Sequence, residues 1–256
     1  MRALDPVLTH FSVVAAWIAA LLCGAASAAP LPFTADYSAS YNGMAVTATR
    51  QLERDSDGYR EQLQLRSLLG SVTEQSLFTL QDDWPQPQSS VYSLSLLGLN
   101  REERQQFDWS TLSVDYRRGD KQRTLAIKPN CLDITTHRLA LVADLRGGRK
   151  PLEYCVINRG KLKQYRYQAL GEQRIDTPLG PLNTLHVERL READETRSTE
   201  LWLAIDWDLL LVRLHQFEDD EEYRLDLSSA SIDGQKVAGV PAQLAATPSH
   251  NDPTGN

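Results

Sequence analysis

The residues best equipped for chemistry are few and scattered. His186 and His215 lie in alternating, strand-like stretches and would give two ligands of a metal site if they were neighbours. No cysteine or paired carboxylate recurs beside them to supply a third, so no metal site is assigned. His137 and His250 have no evident partner. Carboxylates gather next to tryptophan in DDWP (82–85), FDW (107–109) and IDWD (205–208). Two of them facing each other across a cleft would suit sugar hydrolysis, which singles out Asp83, Asp108, Asp206 and Asp208. The plainer account is that Asp turns the chain while Trp closes a strand end. The acidic runs FEDDEEY (217–223) and READETRSTE (191–200) lack the glycine-centred oxygen pattern of a calcium loop and read as solvated hairpin turns.

The familiar catalytic spellings G-x-S-x-G, H-E-x-x-H and G-x-x-x-x-G-K are absent, as is a Gly-rich dinucleotide fingerprint. No catalytic residue and no cofactor are therefore assigned, and the reading leans away from an enzyme. A net charge of -7 without a basic cluster argues against nucleic acid as a partner, because phosphate binding needs a positive face.

The N-terminus sets the expected compartment. Arg2, an apolar run from Phe11 to Leu22 and the small residues Ala26, Ser27 and Ala28 have the layout of a signal peptide over residues 1–28. The apolar run is shorter than the ~20 residues needed to cross a bilayer, and no later segment is long enough either. Cys23 follows Leu21 and Leu22, which fit a lipidation signal poorly, so the expected product is a soluble exported protein. Cys131 and Cys155 are then the cysteines left in an oxidising compartment, and they are expected to form a structural disulfide worth about 3 kcal/mol. Two buried free thiols are the alternative.

Period-two alternation dominates the elements that must position these groups. Phe33, Ala35, Tyr37, Ala39 and Tyr41 share one face, as do Tyr59, Leu63 and Leu65. Similar stretches recur to residue 232, separated by turn signals such as Asn42 with Gly43, or Gly119 with Asp120. In TPLGPLNTLHVERL (177–190), Pro178, Gly180 and Pro181 reverse the chain between two such stretches. The expected fold is mainly β: an antiparallel meander forming a curved open sheet or partly open β-barrel, with one short helix. That helix falls within residues 131–148, with Leu139, Val142 and Leu145 at helical spacing, Asp133 or Thr135 as N-cap and Gly147 as stop. It is expected to lay one apolar side on the sheet, its ends pinned by the disulfide. Residues 29–235 are read as a single β-rich domain and 236–256 as a flexible tail.

Strand ELWLAI points Leu201, Leu203 and Ile205 one way and Trp202 and Ala204 the other, so both faces are partly apolar. One face of a curved sheet would then line a trough, with Tyr37, Tyr165, Tyr167 and Trp202 as candidate ligand-binding residues.

FTADYSASYNGMAV, LDITTHRLALVADLR, RIDTPLGPLNTLHVERL and ELWLAIDWDLLLVRLHQFEDDEEYRLDL, in that order, give the chain a resemblance over most of residues 33–230. It resembles the bacterial exported family of unknown function numbered 3108. The resemblance implies a periplasmic, mostly antiparallel β protein, a partly open barrel similar to lipoprotein-carrier folds, and brings no catalytic residues. Leu211 departs from the family pattern, which would place a proline before Val212 and Arg213. The leading function is a non-enzymatic periplasmic protein that binds or carries an apolar or amphipathic envelope molecule, a lipid or an envelope glycan. A scaffold docking an envelope protein on its sheet edges is the alternative, and a hydrolase of envelope polymers is a third reading.

Overall fold

The computed structural model describes residues 29–41, 44–191, 196–219 and 221–239. The expected signal peptide, and residues 240–256 of the expected tail, lie outside the described residues. Eight strands run as a meander, β1 (Phe33–Tyr41), β2 (Met44–Arg54), β3 (Tyr59–Arg66), β4 (Gly70–Gln81), β5 (Trp84–Leu96), β6 (Leu99–Asp108), β7 (Ser113–Arg118) and β8 (Lys121–Ala126). A two-residue strand β9 (Leu132–Asp133) and the helix α1 (Thr136–Arg146) interrupt it. A second meander then follows, β10 (Leu152–Asn158), β11 (Lys161–Ile175), β12 (Leu182–Leu190), β13 (Ser198–Ala204), β14 (Leu210–Glu218) and β15 (Glu221–Ile232), ending in β16 (Gln235–Lys236).

The two meanders join where β1 pairs antiparallel with β15, so one sheet runs from β8 through β1 and β15 to β9. The sheet is open: β8 pairs with β7, and β9 pairs in parallel with β10. This is the mainly β antiparallel meander with one short helix expected from the sequence, in the open of its two expected forms. Strict alternation puts Ala35, Tyr37 and Ala39 of β1, Ala48 and Leu52 of β2, and Leu225 and Leu227 of β15 on the buried inner face. At the expected turn, Gly180 N–H donates to Thr177 O at 3.0 Å, with Gly180 at φ 99°, which reverses the chain between β11 and β12.

The helix departs from expectation in its packing. It is buried on several sides, with Leu139 against Leu52, Tyr59 and Phe78, and Ala140 and Leu141 against Leu152, Tyr154 and Val156. Enclosure by the curved sheet leaves solvent only the last turn of the helix, at Arg146, and Thr136, His137 and Asp144 are buried too. Asp133 caps it from outside, accepting from Thr135 N–H at 2.9 Å and Thr136 N–H at 2.7 Å. Cys131 and Cys155 are disulfide-bonded and tie the start of β9 to β10.

The chain given to the tail begins inside the structure. β16 pairs with β15, Val237 is buried, Trp207 Nε1–H donates to Ala238 O at 3.0 Å and Gly239 N–H donates to Leu179 O at 2.9 Å. Gly239 packs so closely on Gly180 that a Cβ there would stand 2.6 Å from its carbonyl carbon. An Ala-, Gly- and Pro-rich composition hides this docking, because backbone and small side chains make it.

Candidate functional site

Antiparallel pairing puts the start of β1, the end of β2 and the β4–β5 turn at one end of the sheet, together with the short 3-10 turn Ile205–Trp207. The last turns of α1 reach that end, where Arg146 pairs with Asp208 at 2.6 Å. Between them lies a narrow cleft with a cavity volume of about 50 Å³, open to solvent on one side. Phe33, Leu52, Phe78, Leu80, Leu139 and Val142 are among its walls, and Leu31, Leu209 and Ile232 also line it. Asp83, Arg146 and Asp208 supply its charged rim. Asp208 and Leu209 are held at φ 56° and 55°, in the left-handed region that non-glycine residues avoid. Burial raises the Asp208 carboxyl above the usual range, while Arg146 opposes the rise.

Beneath these walls the interior is polar. Arg50, which also lines the cleft, pairs with Glu61 at 2.6 Å and lies over the Phe33 ring. Glu61 is fully buried, and its Oε2 has no hydrogen-bond partner among the described residues. Arg138 of α1 donates to Glu74 at 2.8 Å, and Ser76 Oγ–H donates to Asp133 at 2.5 Å. These pairs fasten α1 and the strand β9 before it to β4. Burial raises the Asp133 carboxyl.

The sequence-derived candidates do not form one surface. Tyr37 is buried on the inner face, its hydroxyl donating to Leu211 O at 3.1 Å, and burial pushes its pKa up to about 12. Leu211, where the family pattern would place a proline, thus sits beside the bulge between β13 and β14 and offers its carbonyl inward. Tyr165 and Tyr167 enclose His137, with ring centroids at 5.3 and 6.3 Å. His137 Nδ1 lies 2.7 Å from Ile134 O, which can only accept, so Nδ1 carries the proton and Nε2 accepts from Tyr167 O–H at 3.0 Å. Burial pushes the imidazole down to about 3, with Arg138 adding to the effect. Trp202 lies on the other side of β13 from Leu201, stacked on His186 at 4.4 Å and donating to Gln173 at 2.8 Å. None of the four lines the cleft.

Sequence reasoning missed the residues that do. Leu52, Phe78 and Leu80 look like ordinary strand positions, and their only signal is that they fall near strand ends beside a helix terminus. The remaining chemistry separates. His186 bonds Glu200 at 2.8 Å and His215 bonds Glu222 at 2.9 Å, with β13 lying between their strands. Among the described residues no group of three His, Cys, Asp or Glu could hold a metal ion. Asp108 closes its own turn, accepting from Ser110 and Thr111 N–H, and the Ser110 and Thr111 hydrogen bonds lower its carboxyl. Asp206 accepts from Asn183 at 3.3 Å. Only Asp83 and Asp208 of the four carboxylates reach the cleft.

An open, strongly curved antiparallel sheet closed over an internal helix defines a β-barrel-like protein. A β-barrel-like protein of a domain of unknown function, DUF1849, from Brucella abortus shares this fold. Its TM-score is 0.56 at 11% identity, covering 80% of this chain and 99% of that one. The chain belongs to the family described as protein of unknown function (DUF3108), whose model matches residues 36–228. Weaker likenesses reach the complex structure of Pseudomonas aeruginosa MucA/MucB (TM-score 0.34, 13% identity, 84% of this chain and 56% of that one). They also reach a putative lipoprotein from Parabacteroides distasonis (TM-score 0.29, 10% identity, 79% and 97%). At those TM-scores neither carries an argument. No curated protein matches the chain. Among the described residues no helix is long and apolar enough to cross a membrane.

Proposed function

We infer that this is an exported, periplasmic, non-enzymatic protein that binds an amphipathic cell-envelope molecule in the cleft between α1 and the ends of β1, β2 and β4. The apolar chain of the ligand lies against Phe33, Leu52, Phe78 and Leu139, and its polar head meets the rim at Asp83, Arg146 and Asp208. The supporting observation is the lining of the cleft, mainly apolar walls with charge confined to a few positions. Ligand sites show this division between apolar walls and a few polar groups that fix orientation. Export rests on the signal-like N-terminus, with residues 1–28 removed and the β-rich domain following.

Native mass spectrometry of the purified protein and displacement of a fluorescent fatty-acid probe test this reading. Val142→Trp places an indole inside the cleft and is expected to weaken probe binding at least roughly tenfold while the melting transition stays cooperative. No co-purified amphiphile, together with unchanged probe binding in the variant, would sink the proposal.

Docking of an envelope protein by strand addition has one observation in its favour. β8 is a sheet edge with most of its side chains exposed. Lys121 and Arg123 on that edge discourage promiscuous pairing, and this makes the reading secondary.

A further inference from the structure

At the end of the sheet opposite the cleft, two neighbouring turns expose leucine. The β3–β4 turn carries Leu68, 102% exposed, and Leu69, and the β5–β6 turn carries Leu97, 78% exposed, and Leu99, 59% exposed. They are one tip, since β4 and β5 are paired and Leu97 N–H donates to Leu69 O at 3.1 Å. Leu97 and Gly98 take φ 48° and 83°, a turn conformation in which asparagine or aspartate is the usual first residue. A leucine there is both strained and solvated, so it stabilises neither the turn nor the core.

The flank of this tip is basic. The β7–β8 turn exposes Arg117, Arg118 and Lys121 around one carboxylate, Asp120, and the β10–β11 hairpin exposes Lys161 and Lys163. The two turns touch, Arg123 donating to Arg159 O at 3.2 Å. Arg66 is exposed close to Leu68. Because Arg118 pairs with Glu103, these cations stand back from Leu97 along β6 by roughly 15–20 Å at ~3.3 Å per residue. If the leucines enter about 5–10 Å past the headgroups, the cations come within about a Debye length of the membrane surface. The acidic β14–β15 turn, with Asp219, Glu221 and Glu222, lies on the far side of the tip, beyond β2 and β1.

We propose that the Leu68–Leu97 tip and its basic flank form a membrane-docking surface that inserts into a bilayer rich in anionic phospholipid. Convex turns fit a lipid surface, whereas a stable protein interface needs about 800 Å² from each partner. The charge asymmetry sets the tilt, basic turns toward the anionic headgroups and the acidic turn away. The cleft then faces away from the bilayer, and the docking surface stands independently of what the cleft holds.

Flotation of the purified protein with vesicles of phosphatidylethanolamine and phosphatidylglycerol, against vesicles of phosphatidylcholine, tests this. Wild type is expected to float with the anionic vesicles and detach as salt rises. Leu68→Asp with Leu97→Asp is expected to weaken flotation at least roughly tenfold, and Arg117→Glu with Lys121→Glu to weaken it on anionic vesicles only. These side chains are exposed, so unchanged melting verifies the fold, and unchanged fatty-acid probe binding separates this surface from the cleft. Absence of wild-type flotation, equal binding to both vesicles, or full binding by the leucine variant overturns the proposal. So does a concentration-dependent dimer that the leucine variant abolishes without any vesicle binding, which assigns the tip to a second copy.

Discussion

His137 is held neutral by its surroundings, with both ring nitrogens hydrogen-bonded, Tyr165 and Tyr167 beside the ring, and Arg138 and Arg189 opposing a proton. Its folded pKa of about 3 lies below the ordinary 6.5 of an unfolded chain. The unfolded state therefore binds a proton first as pH falls, and the stability that neutral His137 contributes is full above pH 6.5 and is lost progressively toward about pH 3. Urea melts at pH 7 and pH 5 are expected to show a loss of about 1–2 kcal/mol in wild type and a smaller one in His137→Gln. Equal losses would remove His137 as the source. Asp133, with its carboxyl raised, works in the opposite direction above pH 3.8, so the difference between the two proteins is the decisive quantity. The sequence shows no partner for His137 because Tyr167 lies thirty residues on and is brought back by strand pairing. Glu61 is hidden for another reason. In an alternating stretch with Tyr59 and Leu63 a single charge reads as an interruption, whereas here it is buried opposite Arg50.

The helical spacing and the stop at Gly147 make α1 legible, since both are local properties of the chain. Its enclosure is not, because it depends on how far two meanders curl before they meet. β9 and the disulfide explain how the helix enters the interior. β9 pairs in parallel with β10, the parallel pair described within a meander sheet, and two residues of ladder are too few to hold it unaided. The Cys131–Cys155 bridge closes a loop spanning a sequence separation of 24, containing β9 and α1. Replacing both cysteines by alanine is expected to lower stability by about 3 kcal/mol, measured by urea denaturation, and reduction of wild type should reproduce the loss. Within that loop Asp133, Arg138 and His137 all make inward bonds, so hydrogen exchange in α1 should accelerate more than in β1 or β15. Equal exchange in all three would mean that the bridge does not restrain the helix.

An open sheet of this size must bring its edges together without a ladder, and here side chains do it. Phe107 and Val114 from β6 and β7 pack with Ile157 and the Cys131–Cys155 pair, so the β8 side meets the β10 side through a shared apolar cluster. The β10–β11 turn presses Gly160 against the ring of Tyr116, which is itself bonded to Glu103 at 2.8 Å. The alternating pattern carries the antiparallel meander, whereas the open edge at β8, which pairs only with β7 among the described residues, is set by tertiary structure. The position of the seam follows only from tertiary packing, and no short stretch of sequence encodes it. Gly160 and Gly119 provide a matched test because both take left-handed backbones, φ 64° and 54°, so alanine strains each by about 1–2 kcal/mol. A Cβ at Gly119 meets nothing within 4 Å, whereas one at Gly160 would stand 2.6 Å from Tyr116 Cγ. Gly160→Ala is therefore expected to cost at least about 1 kcal/mol more than Gly119→Ala in urea denaturation. It should also speed amide exchange selectively along β7 and β8. If the two variants lose the same stability, the β10–β11 turn moves freely and the seam is not closed by this contact.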